Sequence, residues 1–458
     1  MAIRLVSTGL PSHPPALTWK NTVPTPYRAA FGVAFCTALT LAPAATSAAE
    51  SGPREIHVAT TGADANLGTL SAPLRTVQAA VDAARPGDII KVHKGTYNGV
   101  VNIRTSGTRT APITLTNAGD GEAIITSDQV PDDCASTRPS QRRTIKLEGE
   151  SNWIFRGLTI VNGAWIVGER SGEAFNWHYS KVKVGNWVDR RKVPGRGVND
   201  PSSTERVVPY LRQATGKAKM ASADRIGFYN NIIRGRGVYA ALANYGAFRD
   251  NVVTDIICGS GPALWVMTFS DHWDITGNDI SRISPSSITH YMHEGIRIGT
   301  ASNYNYVANN YVHDLEGDGR GINTDVDSSY NLIQFNKVNR VAIGYNDQMA
   351  GWGNIWQYNE VRNFRQLGFG IRLKDLTLSA PSKDTSANGI IMRCNRAILP
   401  IEKAKSLGVG GAMNSRISGN NFTTSWVSPL AVAYWAAYGN QFNGTTSPPT
   451  ATLTPATC

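Results

Sequence analysis

The stretch TTGADANLGTLSAPLRTVQAAVDAARPGDIIKVHKGTY, residues 60–97, decides the fold. Leu74, Val77, Val81 and Ala84 recur at i, i+3, i+7 and i+10, the apolar stripe of a short amphipathic helix. Pro86-Gly87-Asp88 stops that helix, and IIKVHKGTY then reads as a strand followed by a turn. A helix with one apolar stripe needs a surface to cover. Beyond residue 97 the chain offers only short strands, with no second helix of comparable quality.

Downstream of residue 229 a local pattern recurs: apolar residues, then Asn, a variable residue, then Val, Ile or Phe. It appears as YNNII, FRDNVV, ITGNDI, VANNYV, IQFNKV, IWQYNEV, ISGNNF and AAYGNQF, with asparagines at 231, 251, 278, 310, 336, 359, 420 and 440 and Asn395 in the longest gap. A strand-and-turn unit of about two dozen residues is the signature of a solenoid. Asn suits a turn that visits the left-handed region, and it can hydrogen-bond its equivalent in the next rung. The spaced leucines of leucine-rich repeats are missing. The expected fold is therefore all-β: a single-domain parallel β-helix of about ten coils over residues 50–458, with 50–97 forming an N-terminal cap and first coil. Residues 165–224 break the rhythm and read as a long loop insertion, carrying eleven Lys/Arg against six Asp/Glu.

Composition bounds the rest. Of 458 residues only 17% are charged while Gly numbers 44, and 45 Lys+Arg stand against 34 Asp+Glu. That excludes disorder and a coiled coil, and a hydrophobic content of 41% is too dispersed for a multi-span membrane protein. Residues 1–49 carry Arg4, Lys20 and Arg28 and no acid, then the apolar run AAFGVAFCTALTLAPAA and a small-residue exit, TSAA. This is the pattern of a secretory signal peptide, so the expectation is an exported, basic protein without a membrane span, monomeric like most solenoids. Export and the lack of any reader motif argue against nucleic acid as a partner. Without Cys36, four cysteines remain: Cys134, Cys258, Cys394 and Cys458, enough for two disulfides, with Cys458 placed to pin the tail.

The 60–97 segment resembles the N-terminal cap of right-handed parallel β-helix proteins of the polysaccharide lyase type, such as the family 9 pectate lyases. The resemblance implies a right-handed helix and action on an acidic polysaccharide, with calcium as the expected cofactor.

Four consecutive coils align on their Gly-Ile strands: GIRIG (295–299), GINTD (321–325), IGYND (343–347) and GIRLK (370–374). With Ile296, Ile322, Ile343 and Ile371 inward, alternation sends two rows outward. The first holds Arg297, Asn323, Tyr345 and Arg372; the second holds Gly299, Asp325, Asp347 and Lys374. Glu294, His293 and Asp327 flank them, and Trp265 and Trp352 are candidates for stacking on sugar rings. An ordinary exposed ladder of ion pairs would look similar and contribute little. The concentration of charge on three rungs of a charge-poor chain favours a site.

Two chemistries suit those rows. In β-elimination, calcium held by Asp325, Asp347 and Asp327 neutralises a uronate carboxylate and a base removes the C5 proton. The base of the family 9 pectate lyases is a lysine in a Gly-Phe-Lys-Leu context. GFGIRLKD resembles it, with Arg372 at that position and Lys374 two residues later. In hydrolysis, Asp325 and Asp347 are the acid and base, and NTD, ND and RLK resemble three polygalacturonase motifs in order. The third possibility is a non-catalytic glycan-binding β-helix drawn to polyanions by its charge.

Overall fold

The computed structural model describes residues 52–129, 143–168, 222–257, 261–284, 293–299, 302–325, 328–348, 351–372, 387–456 and 458. The expected signal peptide over 1–49, the bulk of the expected 165–224 loop insertion, Asp327, Lys374, Cys134 and Cys258 therefore lie outside the described residues.

Most coils lay one strand on each of three parallel faces. The first face is a 13-stranded sheet running from Glu55–Val58 to Gln441–Phe442. That is more rungs than the asparagine pattern implies, because the coils before Asn231 carry no such Asn. The second and third faces form one 19-stranded sheet. They are joined where two long strands, Lys337–Gln348 and Glu360–Arg372, turn the corner without a break. Every pairing between named strands is parallel and joins a strand to its counterpart one coil later, as in Phe228↔Phe248 and Phe248↔Ile275.

Period-2 alternation fills the interior. Ile90, Leu115, Phe155, Phe228, Phe248, Ile275, Val307, Ile333 and Trp356 form one inward column of the first sheet, each fully buried. The helix forms as the stripe predicts, over Val77–Ala83, with the Thr76 hydroxyl accepting from the Ala79 N–H at its start. Its Val77, Ala80 and Val81 belong to the same apolar core as the first strands.

The asparagines form a continuous internal ladder. Asn231, Asn251, Asn278, Asn310, Asn336, Asn359, Asn395 and Asn420 each donate from Nδ2 to the Oδ1 of the next, at 2.8–3.1 Å, ending at Asn420. The left-handed residue is not the ladder Asn but the one before it. Asn230, Asp250, Gly277, Asn309, Phe335, Tyr358, Cys394 and Gly419 have φ between 54° and 70°. That kink turns the next side chain inward, where the amide replaces the strand hydrogen bonds the corner interrupts. Asn440 stands apart: its Oδ1 accepts from the Ser415 N–H and its Nδ2 donates to the Ala412 carbonyl. A disulfide joins Cys394 at this corner to Cys458, tying the tail down as expected.

Candidate functional site

The outward row on the third face is real but differs in membership from the expected one. Across successive coils it reads Trp165, Tyr239, Trp265, Arg297, Asn323, Asn346 and Gly370. Tyr345, expected in this row, is a correction: it pairs with Ile322 and Phe369 in the inward column and is fully buried. Its hydroxyl donates to backbone carbonyl groups of Asn336 and Glu360 across the interior. Asp347 is a second correction. It pairs with Thr324 and Ile371, so it too points inward, and the Trp356 Nε1–H and Asn354 Nδ2–H donate to its Oδ2 at 2.8 and 2.9 Å. Burial pushes its carboxyl up to about 6, against the pull of those donors.

The cause of both corrections is the glycine column. A Cβ on Gly321 would lie 2.6 Å from the Gly344 carbonyl oxygen and the Val338 side chain, and one on Gly344 would lie 2.5 Å from the Gly368 carbonyl oxygen. These tight corner positions set the register, so Gly344-Tyr345 and Gly368-Phe369 are the equivalents of Gly321-Ile322. In that frame Asn346, not Tyr345, is the equivalent of Asn323. The expected row is out by one residue at 345 and 347, which turns both side chains to the other face, and by two at Arg372, where Gly370 is the equivalent. In the true frame Arg372 pairs with Gln348, the position next to Asp347.

Around Arg297 the predicted residues do converge. Its Nη1 donates to both carboxylate oxygens of Glu294, at 3.1 and 2.9 Å, and its Nη2 donates to Asp325 Oδ2. Glu294 also receives Arg320 Nη1 at 3.2 Å, a partner hidden from the sequence because it lies on the neighbouring rung. The guanidinium sits 5.7 Å from the Trp265 ring centroid. Trp265 in turn meets Tyr239 edge-on at 5.2 Å, and Tyr239 stacks on Trp165 at 4.3 Å. The Asn323 Oδ1 accepts from Asn346 Nδ2 at 2.7 Å. Asp325 Oδ1, Asn323 Nδ2 and Trp265 Nε1 are buried polar atoms here with no hydrogen-bond partner among the described residues.

His293 adjoins the cluster through its backbone, its carbonyl accepting from the Arg320 N–H at 2.9 Å. Trp352 does not join the row. It lies at the corner leading to the first face, its carbonyl accepting from the Tyr330 N–H. Lys374 and Asp327 lie outside the described residues.

Asp325 and Asp347, two of the three expected calcium ligands, do not face a common cation, and Asp327 lies outside the described residues. Calcium takes six to eight oxygens. Asp325 is tied to a guanidinium, Asp347 is inside the coil, and among the described residues no group of three or more His, Cys, Asp or Glu could hold a metal. The same geometry separates the expected hydrolytic pair: Asp325 is on the outer side of the sheet and Asp347 on the inner side. Within the cluster itself Glu294 and Asp325 balance Arg297 and Arg320.

Comparison with known proteins adds the lineage. Residues 56–181 match a family described as the Pel9A-like, right handed beta helix region. Pectate lyase PEL9 of Emericella nidulans is 35% identical over 139 residues, which is 29% of this chain and 33% of that protein. The uncharacterized protein YwoF of Bacillus subtilis is 28% identical over 116 residues, 25% of this chain and 24% of that protein. The chain thus matches only about a third or less of the length of these relatives. Among solved structures, pectate lyase Pel9A is similar at a TM-score of 0.43 and 13% identity, over 88% of this chain and 89% of that one. No helix among the described residues is long and apolar enough to cross a membrane. Its parallel coils make the chain a right-handed parallel β-helix protein, and its residues 56–181 are similar to the Pel9A-like, right handed beta helix region.

Proposed function

We propose that the chain is an exported polysaccharide lyase that cleaves an acidic, uronate-containing polysaccharide by β-elimination along the outer side of the third face. The Arg297 cluster supports this reading. A cation fixed by two carboxylates stands beside an acceptor, Asp325 Oδ1, and a donor, Asn323 Nδ2, both buried and without partners among the described residues. Buried polar atoms without partners are costly, and a polar ligand satisfies them. A uronate offers both complements: hydroxyl groups for Asp325 and a carboxylate for Asn323 and the guanidinium.

In this reading Arg297 and Asn323 hold the carboxylate and stabilise the charge that builds as the C5 proton leaves. Trp265 borders the guanidinium and limits its freedom. The base that takes the proton is Lys374 or Arg372, two residues apart in the chain; the electrons of the C5–H bond then expel the C4 oxygen, leaving a C4–C5 double bond. Neither Tyr345 nor Asp347 takes part.

The test is ultraviolet absorbance of unsaturated uronate during incubation with polygalacturonate, alginate and glycosaminoglycans. Growth of that signal, lost in Arg297→Ala and in Lys374→Ala or Arg372→Ala, is the expected result. New reducing ends without absorbance would establish hydrolysis instead, and binding without either product would make the chain a glycan-binding protein.

A further inference from the structure

The outward row of the third face does not end at Gly370. Its register continues through Gly408 to Trp426, in the strand Ser425–Val427. Trp426 therefore stands in the same row as the polar cluster, four strands beyond Asn323 and five beyond Arg297. At a strand spacing of about 4.8 Å those steps amount to about 19 Å and about 24 Å.

Packing of the fold does not account for this side chain. Trp426 is 47% exposed, whereas Trp153, Trp165, Trp265, Trp273, Trp356 and Trp435 are buried. A large aromatic side chain ordinarily stabilises a fold through the area it buries. Here Ser425 is buried and Val427 packs against the core, while Trp426 takes no part in that core. Between Asn346 and Trp426 the row carries no side chain of its own, because Gly370 and Gly408 fill the two places. Leu367 borders the second of them, its Cδ1 only 2.8 Å from where a Cβ on Gly408 would lie. The row thus passes from a charged end, over glycines beside an apolar side chain, to an open indole.

An indole offers a negative π-face, which suits the slightly positive C–H groups on the flat side of a pyranose ring. The strand spacing is also close to the length of one pyranose residue, so places in the row and sugars in a chain run in step.

We propose that Trp426 is a distal sugar-stacking position of the same groove. A polysaccharide held at a uronate by Arg297 and Asn323 runs along the row, and a sugar about five residues away lies on the indole. The inference rests on the groove assigned above, but not on which bond is broken there. It makes the protein selective for long chains: a short oligosaccharide reaches one end of the row, and a longer one joins both contacts in a single binding event.

The test is calorimetric binding of oligosaccharides of graded length, prepared from polygalacturonate, alginate and glycosaminoglycans, to the wild type, Trp426→Ala and Trp426→Phe. Wild-type affinity should rise about tenfold once the chain exceeds about six sugars. Trp426→Ala should lose that rise and keep the affinity for trisaccharides, and Trp426→Phe should restore most of it. Unfolding curves of the variants, expected to match the wild type, separate lost stacking from lost fold. No binding of any of these chains, affinity independent of length, or a length dependence unchanged in Trp426→Ala would overturn the proposal. Failure of the lyase reading shows separately, as absence of unsaturated uronate while length-dependent binding persists.

Discussion

Of the buried polar systems in this β-helix, two are built on opposite plans. The ladder from Asn231 to Asn420 is neutral and periodic. Within it Asn310, for example, donates to Asn336 Oδ1 and the Ile275 carbonyl and accepts from the Asn278 side chain and N–H. The cluster of Glu294, Arg297, Asp325 and Asn323 is charged, confined to neighbouring coils, and leaves Asp325 Oδ1 and Asn323 Nδ2 without partners among the described residues. A saturated network specifies structure; a network with open valences is shaped for something else to complete it. That difference separates scaffold from site more cleanly than charge or burial does, since both systems are almost wholly buried.

The contrast is sharpest under mutation. Asn310→Leu should be the most damaging change, about 5 kcal/mol, because it orphans the buried Asn278 N–H and Nδ2 and the Ile275 carbonyl on the preceding coil and takes a donor from Asn336 on the next; denaturant unfolding would measure it. Arg297→Ala should destabilise by about 3 kcal/mol by stranding two buried carboxylates, and should also abolish any lyase activity. If Arg297→Ala proved neutral for activity but destabilising, the cluster would be scaffold after all. Asp347 tests the inner side of the same sheet. Its carboxyl, near 6 in the fold against an ordinary 3.8, holds a proton that the unfolded chain releases. Stability should therefore fall as pH rises from about 4 to about 6 and then level off. Asp347→Asn keeps an acceptor for Trp356 and Asn354 while removing the buried charge, so it should flatten that fall and raise stability at pH 8 by about 2 kcal/mol. A melting-temperature series against pH reads this directly. Smallest is Cys394→Ala, about 1 kcal/mol, because the disulfide ties down only the terminal tail.

How legible these systems are in the sequence depends on their repetition. The ladder is visible because one residue type, Asn, recurs once per coil next to strand residues. The 77–83 helix is visible because its stripe is local. The rows over 343–374 are misframed because two cues compete there. Ile343 and Ile371 imitate Ile296 and Ile322, whereas the register follows Gly344 and Gly368, whose lack of a Cβ lets adjacent corners approach. Tyr345 and Phe369 occupy the places of isoleucines, and nothing in local alternation says that a tyrosine will point inward to reach carbonyl groups across the core. Arg320 and Asn346 escape notice for a related reason: their partners are a coil away, a distance in sequence that no short motif spans.

The left-handed corner before each ladder asparagine has a consequence for how this molecule can change. The inward amide bears the geometric demand, so the corner residue itself is released from it: Asn, Asp, Gly, Phe, Tyr and Cys all occupy equivalent places there. Those places form a straight rail on the outside of the molecule, one per coil at a spacing of about 4.8 Å. Chemistry can be swapped along that rail, coil by coil, without the interior registering the change, and the bridge from Cys394 to Cys458 is one instance of a rail position put to covalent use.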